Sequence, residues 1–203
     1  MIFFQDTRYL GMIFWIVAIL LAANAVMLLA AAFGDYAIEV PDSVTDARMF
    51  CLLTGAGNAI AAIIYAGNAH KTMATRRSRL EVIRSYIAVI GLCMLISGIS
   101  GALAVYLYTD EQSFALYIAI ATIVLSAIVL GISRIVADGK KGPVKKVVWA
   151  VLVIAFVLMA LDAIEEADDY WELAEHIAHM IIAVFMISFI ADGDVRREMG
   201  VSE

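Results

Sequence analysis

Two histidines and a run of carboxylates lie close together near the C-terminal end of the chain. The stretch from 162 to 180 reads DAIEEADDYWELAEHIAHM and contains seven Asp or Glu residues together with His176 and His179. Neutral imidazoles and carboxylates on adjacent helical turns suit zinc, or iron or manganese where more oxygen ligands are supplied. The apolar run IIAVFMISFI follows at once, so this chemistry leads directly into a segment that could lie in lipid.

The spacing of these residues predicts one titratable face on a helix. At about 100° per residue, the two histidines and the glutamates preceding them fall within a face about 100° wide. Histidines at i and i+3 can meet one ion, with a glutamate one turn above and further carboxylates from the end of the preceding helix. The predicted metal ligands are therefore His176, His179, Glu172, Glu175, Asp162 and Glu165. The pattern EHIAH is not the HExxH of zinc proteases, because its glutamate precedes both histidines.

The composition places this stretch in a membrane protein. The chain is 64% hydrophobic and 17% charged, whereas soluble domains are about 45–50% apolar and about 25% charged. We expect no nucleic-acid partner, because no basic domain is available to neutralise phosphates. The sequence contains no glycine motif for nucleotides. Haem is also not expected, since a bis-histidine haem needs ligands from two helices and these two histidines share one.

Apolar runs of spanning length predict an all-α fold, a bundle of six transmembrane helices forming a single domain over 1–203. Each run approximates the ~20 residues that cross ~30 Å of hydrocarbon, and in lipid such runs must be helical so that every backbone group is paired. Short connections leave no room for a soluble domain. The predicted spans are 9–33, 49–69, 85–107, 113–136, 144–163 and 171–190.

The charges predict the orientation of these spans. The segments after the second, fourth and sixth spans, together with Arg8, hold 13 of the 14 Lys and Arg residues. The opposite side holds 13 of the 20 Asp and Glu residues and a single basic residue, Arg48. The positive-inside rule therefore predicts a multi-pass protein of the cell membrane with both termini in the cytoplasm.

The spans also show a weak internal similarity. Spans two, four and six end in IYAGNAHK, IVADGKK and FIADGDVRR, each with alanine, then glycine, then basic residues. Three repeated helical hairpins would produce this pattern. The alternative is that each segment is simply how a helix of this kind ends, with a glycine cap and cations at its negative dipole end.

The last span must begin near Trp171, because the apolar residues from Ala178 to Ile190 cover only about 20 Å. The histidines then lie below the outer membrane surface, and a charged face at that depth should point into the bundle. Polar residues of other spans fall roughly 10–15 Å below the same surface. These candidate pocket residues are Asn24, Asn58, Ser97, Ser100 and Thr122. Taken singly, each could equally be a helix-packing residue.

We therefore predict an outward-facing carboxylate and histidine pocket that binds, and in one version transports, a divalent metal cation. Transport needs a route through the inner half of the spans, which offers Tyr65, Asn68 and Ser133 but no charged relay. The alternatives are a membrane-embedded metal enzyme acting on a lipid-like substrate, and a non-catalytic sensor or scaffold subunit. A pH switch built on the same histidines, or histidines that only pack beside a solvated acidic loop, also remain open. A homo-oligomer or a membrane complex is the partner expected besides lipid and metal, and an enzyme is the less favoured class.

Overall fold

The computed structural model describes residues 6–34, 44–74, 77–109, 113–138, 142–162 and 170–201. In this part of the chain the regular structure is helical, and the one β-type pairing is an isolated bridge between Val44 and Thr109. The helices are α1 (Thr7–Phe33), α2 (Ala47–Ala74), α3 (Arg79–Tyr108), α4 (Ser113–Ala137), α5 (Pro143–Asp162), α6 (Tyr170–Ile190) and α7 (Gly193–Glu198).

Helices α1 to α6 are each long and apolar enough to cross a membrane. For the described residues, the predictions of an all-α fold and of six helices long and apolar enough to span a membrane are thereby confirmed. The helices extend beyond the predicted spans where they leave the apolar run: α2 continues to Ala74, and α3 begins at Arg79. A helix need not end at the lipid boundary, since polar residues continue its hydrogen-bonding pattern in water. Orientation, the hairpin repeat and the single-domain organisation stay predictions.

Local capping explains the early start of α3. The backbone N–H of Ser78 donates to the Glu81 carboxylate at 3.0 Å, and the N–H of Glu81 donates to Ser78 Oγ at 3.2 Å. This reciprocal pair is a capping box, which satisfies two of the amide groups that lack helical partners at an N-terminus. The sequence SRLE at 78–81 therefore begins the helix before the apolar run does.

The short helix α7 was not predicted. Asp192 caps its start by accepting the N–H of Asp194 at 3.0 Å, and the ion pair between Asp192 and Arg79 joins α7 to the start of α3. At its end, Gly200 adopts φ 71°, and the N–H groups of Gly200 and Val201 close a Schellman motif onto the preceding turn. The helix has only six residues, four of them charged, so the sequence contained no span-length hydrophobic pattern that would predict it.

The contacts divide the chain into two compact units, whose boundaries fall inside helices α1 to α4. The first unit comprises residues 1–17, 66–88 and 131–203, and the second comprises 18–65 and 89–130. The first unit takes the N-terminal part of α1 and α3 but the C-terminal part of α2 and α4. This alternation is the one expected if successive helices run in opposite directions. Every described Lys and Arg except Arg48 belongs to the first unit.

Tyr86 is at the centre of the first unit. Its ring is 1% exposed and stacks on Phe14 of α1 with ring centroids 5.3 Å apart. Phe156 of α5 packs against the same ring at 6.4 Å, and the Tyr86 hydroxyl donates to Met159 Sδ at 3.6 Å. One residue of α3 thus holds α1 and α5 together, which is how aromatic side chains supply much of the packing in a core.

Helices α5 and α6 pack against each other as a hairpin. The indole N–H of Trp149, near the start of α5, donates to the carbonyl of Ile190 at the end of α6 at 3.0 Å. The start of one helix therefore lies beside the end of the other, so the two helices are antiparallel. The bond also satisfies one of the carbonyls that has no helical partner at a C-terminus.

In the second unit, helices approach closely where glycine faces a neighbour. A Cβ built on Gly98 of α3 would lie 2.7 Å from Ile123 Cγ1 and 3.2 Å from the carbonyl oxygen of Ala119 on α4. Small residues at such contacts let two membrane helices approach to the distance at which dispersion is effective. At one end of this unit the N–H of Thr45 donates to the Tyr108 carbonyl at 2.8 Å, joining the start of α2 to the end of α3.

Candidate functional site on the last membrane helix

The predicted titratable face lies on one continuous helix. Helix α6 begins at Tyr170, one residue before the predicted start, and runs unbroken through Glu172, Glu175, His176 and His179. The helical spacing used to place these residues on one face therefore applies. The side chains of Glu175, His176 and His179 are half-buried.

This face is the buried side of α6. Taking His179 as the reference, the residues that follow it in α6 and lie within about 60° of it around the helix are Ile182, Ala183, Met186 and Ile190, and each is at most 2% exposed. On the opposite side, about 120–160° away, Leu173, Ile177 and Val184 are 38–44% exposed. The residues below the histidines thus pack into the first unit, and the exposed side of α6 carries aliphatic residues. This arrangement supports the prediction that the titratable face points into the protein.

His176 carries an unusual polar atom. Its Nδ1 is buried and, among the described residues, has no hydrogen-bond partner. A buried polar atom without a partner costs about 1–3 kcal/mol, and ionisable residues inside membrane spans are rare unless they serve a function. His179 and Glu175 each have an interaction partner of their own. Glu175 and His179 therefore have interaction partners, whereas the Nδ1 of His176 has none among the described residues.

The register of the α5–α6 hairpin brings the backbone of Asp162, a candidate ligand residue, to the same height. Asp162 lies 13 residues after Trp149, and Ile177 lies 13 residues before Ile190. Because Trp149 and Ile190 are joined, equal rises of about 20 Å along antiparallel helices place the Asp162 backbone level with the turn that contains His176. A metal ion bound by His176 and His179 would therefore have the end of α5 beside it, and this end could supply a third ligand.

The complete ligand set extends beyond the described side chains. Glu165 lies outside the described residues, and the side chains of Asp162 and Glu172 do as well, although both belong to helices. Among the described residues, no group of three or more His, Cys, Asp or Glu side chains is close enough to hold a metal ion. Glu175, His176 and His179 are all described and share one face of α6, but the three side chains do not form such a group. The six-residue ligand set stays a prediction.

The five predicted pocket residues all belong to the second unit: Asn24, Asn58, Ser97, Ser100 and Thr122. Two of them bond within their own helices. Ser100 Oγ donates to the Ser97 carbonyl at 3.2 Å, and Thr122 Oγ1 donates to the Ile118 carbonyl at 2.9 Å. Such bonds are typical of hydroxyl residues that assist helix packing. The histidines belong to the first unit, so a polar layer shared with them stays a prediction.

The structure also shows a polar network that was not predicted from the sequence. Arg77 donates to Ser85 Oγ at 3.2 Å, and Ser85 in turn donates to Asn68 Oδ1 at 2.5 Å. Ser133 of α4 donates to the Arg84 carbonyl at 3.1 Å. Asn68 and Ser133 were noted as inner-half polar residues, but their partners lie on other helices. The one local sequence signal in this region is the capping box at 78–81, and it predicts where α3 begins but not which residues bond to each other.

Comparison with protein-family models, with curated proteins and with solved structures finds no match.

Proposed function

We propose that this multi-pass membrane protein binds a divalent cation at the outer end of α5 and α6. His176 and His179 supply imidazole ligands, Glu175 and Glu172 supply carboxylates from the same face, and Asp162 with Glu165 complete the set from the end of α5 and the segment after it. Zinc fits two imidazoles and one or two carboxylates. Iron or manganese fits if more of these carboxylates bind.

The observation that carries this proposal is the buried Nδ1 of His176, which has no partner among the described residues. An apolar residue of similar size would avoid the cost of an unpaired nitrogen in a membrane helix. A metal ion offsets that cost, because a neutral imidazole binds through either ring nitrogen. His179, one turn further along the same face, is within reach of the same ion by helix geometry.

Two further features favour a cation-binding site over the alternative that these residues only pack between helices. Below the histidines the same face becomes the buried side of α6, and ionisable residues at such positions in membrane helices are rare unless they serve a function. The level reached by Asp162 provides additional negative charge from the neighbouring helix. Binding is favoured over transport, because the inner half of the spans offers hydroxyl and amide groups but no charged relay.

The proposed orientation places this site on the outer side of the cell membrane, with both termini in the cytoplasm. It rests on the concentration of basic residues in segments on one side of the spans. A single cysteine introduced at Asp42, after replacement of Cys51 and Cys93, should react with a membrane-impermeant maleimide added to intact cells. A cysteine introduced at Lys146 is the matched control and should react only after the cells are opened. The reverse pattern would overturn the orientation.

Metal analysis tests the proposed function. Protein purified without an affinity tag, in buffers free of added chelator, should contain a transition metal in stoichiometric amount by plasma mass spectrometry. Removing it with a chelator should lower the midpoint of thermal unfolding, since a ligand that binds only the folded state stabilises that state. The proposal would be contradicted if the purified protein contained no metal and its midpoint of thermal unfolding changed with neither chelator nor added zinc. In that case a pH-dependent midpoint would favour the proton switch.

A further inference from the structure

The first unit contains a polar cavity at the end of its helices opposite the histidines. A cavity of about 330 Å³ is lined by Arg77, Glu81, Arg84, Ser85 and Ala88, with Ser133 of α4 on its other side. Its volume is about ten times the ~30 Å³ that a water molecule occupies in the liquid. There is room for a small organic group rather than a single ion.

The two arginines of this cavity are available to a ligand. Arg77 donates one N–H to Ser85, which leaves the other donors of its guanidinium for further bonds. The Arg84 side chain is exposed, and among the described residues its guanidinium has no hydrogen-bond or ion-pair partner. The carbonyl of Arg84, by contrast, is held by Ser133, so the backbone from which this side chain extends is anchored.

The cavity has a buried polar side. Ser133 is 6% exposed, and Asn68, which lies behind Ser85, is 5% exposed. The bond from Ser85 to Asn68 and the bond from Arg77 to Ser85 form one chain of donors and acceptors running from the cavity into the protein. The Nδ2 of Asn68 has no partner among the described residues. Such a chain orients Arg77 before any ligand binds, which lowers the cost of ordering the site.

Charge favours an anion in this cavity. Glu81 is its single carboxylate against two arginines, and that carboxylate already accepts the Ser78 N–H of the capping box. A neighbouring cavity of about 370 Å³ shares Arg77, but there Arg79 and Arg197 are paired with Asp192 and Asp194. Among the arginines that line these two cavities, Arg77 and Arg84 are therefore the two without a carboxylate partner in the described part of the chain.

We infer that this cavity binds a phosphate group. The planar fork of arginine matches two phosphate oxygens, and a tetrahedral phosphate presents enough acceptors for two guanidinium groups and a hydroxyl together. The cavity lies along the first turns of α3, where the chain passes from basic residues to the apolar run, and basic sites at this depth bind anionic lipid headgroups. A phospholipid headgroup and a free phosphate compound share this chemistry. The inference does not depend on the cation site.

A binding experiment with three probes tests the site. Purified full-length protein in a neutral detergent is mixed with micelles containing dioleoylphosphatidic acid, with micelles containing dioleoylglycerol, or with inorganic phosphate. The apparent Kd is obtained from the shift of the unfolding midpoint with probe concentration. Dioleoylglycerol has the same acyl chains without the phosphate, and we expect it to produce no shift. If phosphatidic acid shifts the midpoint and the arginine variants described next reduce that shift, the ligand is a lipid headgroup. If only inorganic phosphate does so, the ligand is a free phosphate compound.

Arg84→Gln should weaken binding of the active probe about tenfold, which corresponds to about 1.4 kcal/mol, because a charge-assisted contact is lost. Since the Arg84 side chain is exposed, the variant should keep the wild-type midpoint when no probe is present, and Arg77→Gln provides a second, independent variant. Lys146→Gln removes an exposed charge from the start of α5, outside the cavity, and should leave the Kd unchanged. Equal losses in all three variants, or none in the arginine variants, would overturn the inference.

Discussion

Replacing Tyr86 with alanine is expected to lower the free energy of unfolding by about 3 kcal/mol, near the lower end of the range for removing a buried aromatic ring. The ring is 1% exposed and is packed between Phe14 and Phe156. Lipid is as apolar as a protein interior, so the loss comes from packing and from the cavity left behind rather than from exposure to water. Unfolding in mixed micelles with increasing dodecyl sulfate measures this difference.

Two variants serve as controls for this prediction. Tyr86→Phe keeps the ring and removes the hydroxyl that donates to Met159, so it should cost about 0.6 kcal/mol, as for typical interhelical hydrogen bonds in membranes. Tyr117→Ala makes the same substitution at a residue that is 70% exposed on α4, and it should change stability little. If Tyr86→Ala and Tyr117→Ala have the same effect, Tyr86 does not organise the first unit.

The six spans could be predicted because each is a long apolar run, and lipid leaves the backbone no alternative to a helix. The first residue of α3 was harder to predict. Hydropathy placed its start at residue 85, whereas the Ser78–Glu81 capping box starts it at Arg79. That signal is local and readable, but it is independent of hydropathy. Helix α7 was missed because its short apolar side, Val195 and Met199, becomes recognisable only when the structure shows both residues buried.

Helical periodicity placed the titratable residues of α6 on one face, and the structure shows that this is the buried side below His179. What periodicity could not show was the unpartnered Nδ1 of His176, which depends on neighbouring helices. The arginine cavity was inaccessible for the same reason. Arg84 and Ser133 are 49 positions apart, and only the packing of α3 against α4 makes them neighbours. Tertiary partners of polar residues are therefore the part of a site that a single sequence leaves open.

His179→Ala should abolish zinc binding, because the site would retain one imidazole beside its carboxylates, whereas zinc sites built from imidazoles and carboxylates use at least two histidines. The metal-free variant should be only slightly less stable than the wild type. Loss of an interhelical polar contact in a membrane costs about 0.6 kcal/mol, and His179 does make an interaction in the structure. A large effect on metal binding with a small effect on the stability of the metal-free protein is the combination expected of a ligand. If His179 only packs, the variant should bind zinc as the wild type does.

A zinc titration of the chelator-treated, full-length protein tests the cation site most directly. Isothermal calorimetry in detergent compares the wild type with His179→Ala and with His70→Ala, which removes an exposed imidazole from the end of α2. We expect stoichiometric zinc binding by the wild type and by His70→Ala, and none by His179→Ala. Failure of the wild type to bind zinc, iron or manganese, or unchanged binding by His179→Ala, would contradict the site on α6.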